Sequence, residues 1–163
     1  MNQTRPKRPV EEAPLLGARI LVIESRFHEE IADELVAGAL ARLESARVRI
    51  EPIAVPGALE IPIAAAIVLE AAANAGTPFA GLVALGCVIR GETPHFDIVA
   101  RESARALMDL AMARRIALGN GILTVENEAQ AWARARRTEG DRGGRAASAA
   151  LALVRIARAR AAG

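Results

Sequence analysis

Apolar positions along this chain follow two alternating rhythms. Residues 18–24 (Ala-Arg-Ile-Leu-Val-Ile-Glu) form a short apolar run rich in β-branched side chains, which predicts a strand. After Ser25-Arg26-Phe27-His28 the spacing becomes helical, with Ile31, Leu35, Ala39, Leu40 and Leu43 on one face. Residues 47–55 alternate first and turn apolar later, predicting a strand that becomes buried as it nears Pro56-Gly57. A helix over 61–73 follows, entered through Ala58-Leu59-Glu60-Ile61-Pro62, with Pro62 tolerated because it falls in the first turn.

The alternation continues to the end of the chain. Residues 79–88 predict a third strand and 94–114 a third helix, with Val99, Leu107 and Leu110 as its buried side. Residues 116–121 carry no clear period, and 121–125 predict a fourth, short strand. Asn127 and Gln130, three apart, fit a capping box for a short helix bearing Trp132 and Arg134. Glycines and charges make 136–144 a predicted loop before an Ala-rich last helix with Leu151, Val154 and Ile156 inward. A βα unit repeated in this way argues for a parallel sheet covered on both faces by helices. The helix over 61–73 is apolar nearly all round, so it is expected to meet a second subunit as well as the sheet; an Ala-rich core helix is the plainer alternative.

In a parallel sheet the βα corners emerge at the carboxyl edge, where open α/β folds bind ligands. The third corner, residues 86–97 (Gly-Cys-Val-Ile-Arg-Gly-Glu-Thr-Pro-His-Phe-Asp), is the richest in chemistry. Thr93 suits a helix N-cap and Pro94 the first helical position, which leaves amides free to attract an anion. His95 stands there with a proton to exchange near neutral pH. The first corner adds the aromatic face of Phe27 and the second adds Glu60. Together they suit a planar, hydrogen-bonding heterocycle with a hydroxylated tail, and Arg134 could grip an anion bidentately.

Composition narrows the choice of function. A chain of 163 residues is one domain, with 1–14 read as a flexible polar arm and 15–163 as the folded unit. No apolar run approaches the roughly 20 residues that cross a bilayer, and no apolar stretch follows the early basic residues, so a cytoplasmic protein without a membrane role is expected. A net charge of +2, with arginines scattered among acids, argues against nucleic acid. The single cysteine, Cys87, excludes an intrachain disulfide, and His28 and His95 lack a helical His-pair spacing, so no metal is expected. Cys87, at the end of a buried strand, reads as inert packing, and Arg155, Arg158 and Arg160 as a solvated face.

Four ordered blocks carry a family resemblance: residues 25–28, residues 55–62 (Val-Pro-Gly-Ala-Leu-Glu-Ile-Pro), residues 85–97 and residues 121–131. In these blocks, which span nearly the whole chain after the arm, it resembles the 6,7-dimethyl-8-ribityllumazine synthases of riboflavin biosynthesis. The resemblance implies a flavodoxin-like three-layer α/β/α sandwich with a four-stranded parallel sheet, assembled at least as a pentamer with sites between subunits. It implies condensation of 5-amino-6-(D-ribitylamino)uracil with L-3,4-dihydroxy-2-butanone 4-phosphate, with no metal or organic cofactor and with riboflavin synthase as a candidate partner.

Carried onto this chain, the resemblance has Phe27 stacking on the pyrimidine, Ala58, Leu59 and Glu60 lining the ribityl chain, and the main chain of Cys87, Val88 and Ile89 reading the pyrimidine edge. Glu92 and Thr93 would offer main-chain donors to the phosphate, Arg134 would be its cation, and His95 would be the catalytic proton carrier. Three positions depart from the family pattern: His28 replaces a common Asn, Asn120 stands where an aromatic is usual beside the neighbouring subunit's pyrimidine, and Arg142 replaces a lysine near the phosphate. Asn120 and Arg142 lend support to a rival reading, a non-catalytic binding or scaffold homologue that holds flavins or lumazines.

Overall fold

The computed structural model describes residues 12–163. The expected arm falls almost wholly on residues outside that range. Four strands, β1 (Arg19–Ser25), β2 (Arg49–Val55), β3 (Gly81–Ile89) and β4 (Ala117–Val125), form one parallel sheet in the order β2-β1-β3-β4. Five helices intervene or follow: α1 (Glu29–Ser45), α2 (Glu60–Asn74), α3 (His95–Arg114), α4 (Glu128–Ala135) and α5 (Arg142–Ala161). The parallel sheet covered on both faces is the one expected of the βα rhythm, and its strand order is the doubly wound, flavodoxin-like one that the resemblance implied. Among the described residues no helix is long and apolar enough to cross a membrane.

Strand alternation sorts the core into two layers. Ile20 and Val22 of β1 and Val83, Leu85 and Cys87 of β3 face α1, α4 and α5; Leu21, Ile23, Leu82 and Ala84 face α2 and α3. Residues 81–87 of β3 are buried, as a central strand covered on both sides must be. β2 corrects an expectation. It is an edge strand, and residues 51, 52 and 54 remain exposed rather than sinking toward Pro56; Pro52, which lacks an N–H, is at home on an edge.

Two glycine-bearing segments also differ from the sequence reading. The unpatterned residues 116–121 belong mostly to β4, which begins at Ala117 and pairs with β3 from Gly81 onward. Their pattern is obscured because α5 lies so close that a Cβ on Gly119 would sit 1.9 Å from the Ala146 carbonyl oxygen. Residues 142–144, expected in a loop, are the first turn of α5. A Cβ on Gly143 would meet the Leu35 carbonyl oxygen at 1.9 Å, so this glycine marks the α1–α5 crossing. Asp141, in the left-handed conformation at φ 43°, caps α5 by accepting from the Gly144 N–H.

The remaining corrections are local. α3 starts at His95, with Pro94 at the N-cap position and the Thr93 hydroxyl accepting from the His95 N–H at 3.4 Å. Pro94 still opens the helix, because its carbonyl receives the Asp97 and Ile98 amides. Ile156 is exposed. Arg155 and Arg158 are engaged rather than freely solvated: Arg155 pairs with Glu12 and donates to the Ala13 carbonyl, and Arg158 donates to the Leu16 carbonyl. They hold the segment before β1 against α5. The expected capping box of α4 is half made: Asn127 Oδ1 accepts from the Gln130 N–H, but Gln130 Oε1 accepts from the N–H of Glu126, one residue before the N-cap, rather than from that of Asn127.

The helix–sheet approach at Gly119 gives a direct test. Gly119→Ala should lower stability in urea unfolding by about 2 kcal/mol, within the 1–3 kcal/mol typical of overpacking, because the obstacle is backbone rather than a movable side chain. Gly91→Ala, which meets nothing within 4 Å, should stay within about 0.5 kcal/mol.

Candidate active site

The carboxyl ends of the strands converge on a cleft of about 510 Å³ built by the first three βα corners. From the β1–α1 corner come Phe27 and His28, from the β2–α2 corner Pro56 to Glu60, and from the β3–α3 corner Cys87, Val88, Ile89, Gly91, Thr93, His95, Phe96 and Val99. Phe27 is 76% exposed, a large apolar ring presented to the cleft rather than to the core. Glu60 opens α2, and its carboxylate lies back over Gly57, where a Cβ would come within 3.0 Å of Oε2.

β3 supplies the floor in an unusual way. Its ladder with β1 ends at Glu24↔Leu85, whereas its ladder with β4 continues to Ile89↔Val125. β3 therefore runs on past the end of its β1 ladder, and Cys87, Val88 and Ile89 of this overhang line the cleft. Unpaired backbone groups seek hydrogen bonds, so this overhang is a ready reader of a planar heterocycle's edge. The ring of Phe27 offers the complementary stacking face.

Ionisation in and around the cleft is uneven. Cys87 is a free, buried thiol whose pKa burial pushes from the ordinary 9.0 up to about 11, so it is protonated near neutral pH. His95 is exposed at the first turn of the 20-residue helix α3. Arg90 braces the corner from outside: Nε donates to Glu126 at 2.8 Å, Nη1 reaches Asp97 at 3.4 Å, and the guanidinium stacks 4.3 Å from the Phe96 ring centroid. The hydrogen bond to Glu126 leads the causes that raise its pKa. Among the residues lining the cleft none is Arg or Lys, and Glu60 is the one carboxylate. No three His, Cys, Asp or Glu side chains gather as metal ligands among the described residues.

Nine residues singled out from sequence share this cleft: Phe27, Ala58, Leu59, Glu60, Cys87, Val88, Ile89, Thr93 and His95. Glu92 lies in the same loop, between two lining residues, without lining the cleft itself. Asn120 and Arg134 stand apart from it. Asn120 is exposed on the edge strand β4, its Oδ1 accepting from the Ile122 N–H at 3.0 Å, and Arg134 on α4 donates to the Gln130 carbonyl at 3.0 Å. Arg142, the first residue of α5, is also elsewhere. Sequence reasoning gave neither Phe96 nor His28 a place in the site, yet both line the cleft. Their signal was proximity, since each directly follows a residue assigned to the site.

Residues 17–158 match the family model described as 6,7-dimethyl-8-ribityllumazine synthase. A protein of that name from Azorhizobium caulinodans is 60% identical over 158 residues, covering 97% of this chain and 98% of the relative. One from Xanthobacter autotrophicus is 62% identical over 146 residues, covering 90% and 88%. The 6,7-dimethyl-8-ribityllumazine synthase 1 of Rhizobium meliloti is 57% identical over 144 residues, covering 88% and 94%. With a cleft at the switch point of a doubly wound sheet and relatives this similar across almost their whole length, the chain belongs to the 6,7-dimethyl-8-ribityllumazine synthase family.

Proposed function

We propose that the protein is a transferase that condenses 5-amino-6-(D-ribitylamino)uracil with L-3,4-dihydroxy-2-butanone 4-phosphate to give 6,7-dimethyl-8-ribityllumazine, phosphate and water. The observation that carries this reading is the meeting, in one cleft, of the unpaired β3 edge, the Phe27 face and His95. The pyrimidine would lie on Phe27 with its edge on the main chain of Cys87 to Ile89. Its ribityl hydroxyls would run along Ala58 and Leu59 and donate to Glu60. The amine of the pyrimidine attacks the ketone to form an imine with loss of water, phosphate is then eliminated, and the ribityl-bearing nitrogen closes the ring on the remaining carbonyl with loss of a second water. His95 moves protons between these steps, which is worth about 10²–10⁴ in rate. Holding two substrates together supplies much of the rest.

The phosphate requires a cation that the cleft of a single chain does not present. Main-chain donors at Glu92 and Thr93 and the first turn of α3 account for part of its binding. Arg134, with Arg142 near it in this reading, would reach the phosphate from a second copy of the chain, and Asn120 of that copy would sit beside the pyrimidine. Exposed Ile63 and Ile67 on α2 and Ile98, Met108 and Met112 on α3 support a self-associating surface. The assembly in this reading is a homopentamer at least, the number five coming from the family resemblance. It works in the cytoplasm, with riboflavin synthase consuming its product. The rival reading of a non-catalytic lumazine or flavin holder is not favoured, since no proton carrier is needed merely to hold a ligand.

Mixing the protein with both substrates should produce lumazine absorbance and phosphate release together. A rate no greater than the spontaneous one would sink the enzyme reading. His95→Gln should lower kcat about a hundredfold and leave KM for the pyrimidine within about threefold. Shared sites predict complementation: Phe27→Ala and Arg134→Ala chains, each impaired alone, should recover about a quarter of unaltered activity when co-assembled in equal amounts. No recovery in mixed assemblies would exclude a pocket built from two copies. Cys87 is a bystander at its side chain, so at pH 8 iodoacetamide should alkylate the folded protein about a hundredfold more slowly than the unfolded chain, the consequence of a thiol raised from 9.0 to about 11.

A further inference from the structure

The residue after Phe27 is a histidine where a helix favours something else. His28 occupies the N-cap of α1, and its side chain makes no capping hydrogen bond. Ser, Thr, Asp and Asn are the residues that satisfy the free amides of a first turn; here Glu29 and Glu30 provide the negative charge that the helix start prefers. The His28 ring instead lines the cleft. It meets Phe27 edge-on, with centroids 5.0 Å apart and planes at 77°. Phe27 is 76% exposed, so the core does little to fix its ring, and among the described residues His28 is its one recorded aromatic neighbour. A helix start that forgoes its cap to place a ring against an exposed stacking face is a local rule broken at the site of function.

We propose that His28 is a positioning residue for the pyrimidine: its ring, edge-on to Phe27, sets the plane on which the heterocycle stacks. The inference rests on the reading of Phe27 as the stacking face. A phenyl ring free to turn about its side-chain bonds loses that freedom when a ligand settles on it, whereas a ring already held loses less. Edge-to-face contact is the preferred geometry for such a pair and supplies the restraint. The role belongs to the aromatic edge, so it acts on pyrimidine affinity and leaves the proton-transfer steps at His95 untouched.

The same geometry separates this role from a structural one. Asn is a better N-cap than His, so His28→Asn should keep or raise the unfolding midpoint while it raises KM for the pyrimidine about three- to tenfold. KM for the phosphate-bearing substrate and kcat should stay within about twofold. His28→Phe, which keeps an aromatic edge, should hold the pyrimidine KM within about twofold of the unaltered protein. In a Phe27→Ala background His28→Asn should add nothing, because the group it positions is gone. An unchanged pyrimidine KM in His28→Asn, a His28→Phe protein as weak as His28→Asn, or equal effects with and without Phe27 would each overturn the proposal. Calorimetric titration of the pyrimidine alone reads the same contrasts without turnover. Lack of turnover in the unaltered protein would therefore count against the reaction and not against the stack.

Discussion

Everything functional in this molecule depends on β3 being buried on both faces while outrunning the strand beside it. A central parallel strand needs helices above and below, and the two cores on either side of β3 supply them. β1 stops pairing at Glu24, opposite Leu85, and β3 runs on to Ile89 held by β4 alone. The last residues of β3 are thus fixed by one ladder and open on the other side. That combination of rigidity and unmet hydrogen-bonding capacity suits recognition better than a loop would, because ligand binding need not order the backbone it uses.

The charge layout argues for more than one chain per site. The arginines nearest the corners are already committed. Arg26 is held by Asp33 at 2.8 Å and Glu24 at 3.2 Å, and Arg90 by Glu126 and Asp97. Neither lines the cleft. A phosphate-bearing substrate approaching a single chain would meet the Glu60 carboxylate and a set of amides, a poor electrostatic balance for a dianion. In the proposed assembly, Arg134 of a second copy would correct that balance.

Most of the fold was legible because the βα rhythm is clean wherever side chains carry it. It failed where glycine replaced side chains. The start of β4 lost its pattern because Gly119 and Gly121 make room for α5, and the first turn of α5 resembled a loop because Gly143 makes room for α1. In both cases the sequence recorded a close packing contact whose partner lay far along the chain. The cleft was legible in nine of its lining residues because the corners of a parallel sheet must converge. Asn120 and Arg134 could not be placed by the same logic, since their expected partners belong to another molecule. His28's place in the cleft was not legible because its position in the chain marks only a helix end, whereas its ring contact with Phe27 depends on side-chain geometry.

The proton-carrying role proposed for His95 requires it to be held as firmly as the substrates. His95 is on the first turn of α3, so its position follows from whatever fixes that turn. Arg90 does so from three directions: its backbone N–H donates to Val125 at the end of β4, its side chain bonds Glu126 in the next corner, and it reaches Asp97 while covering Phe96 in the turn itself. The ends of β3 and β4 and the start of α3 are thereby joined through one guanidinium. The planar, forked geometry of arginine permits this and a lysine ammonium does not, since only the former can stack on a ring while bonding two carboxylates in its own plane. The loop from Gly91 to Pro94 is consequently a short span between two braced ends, tied to the turn that carries His95.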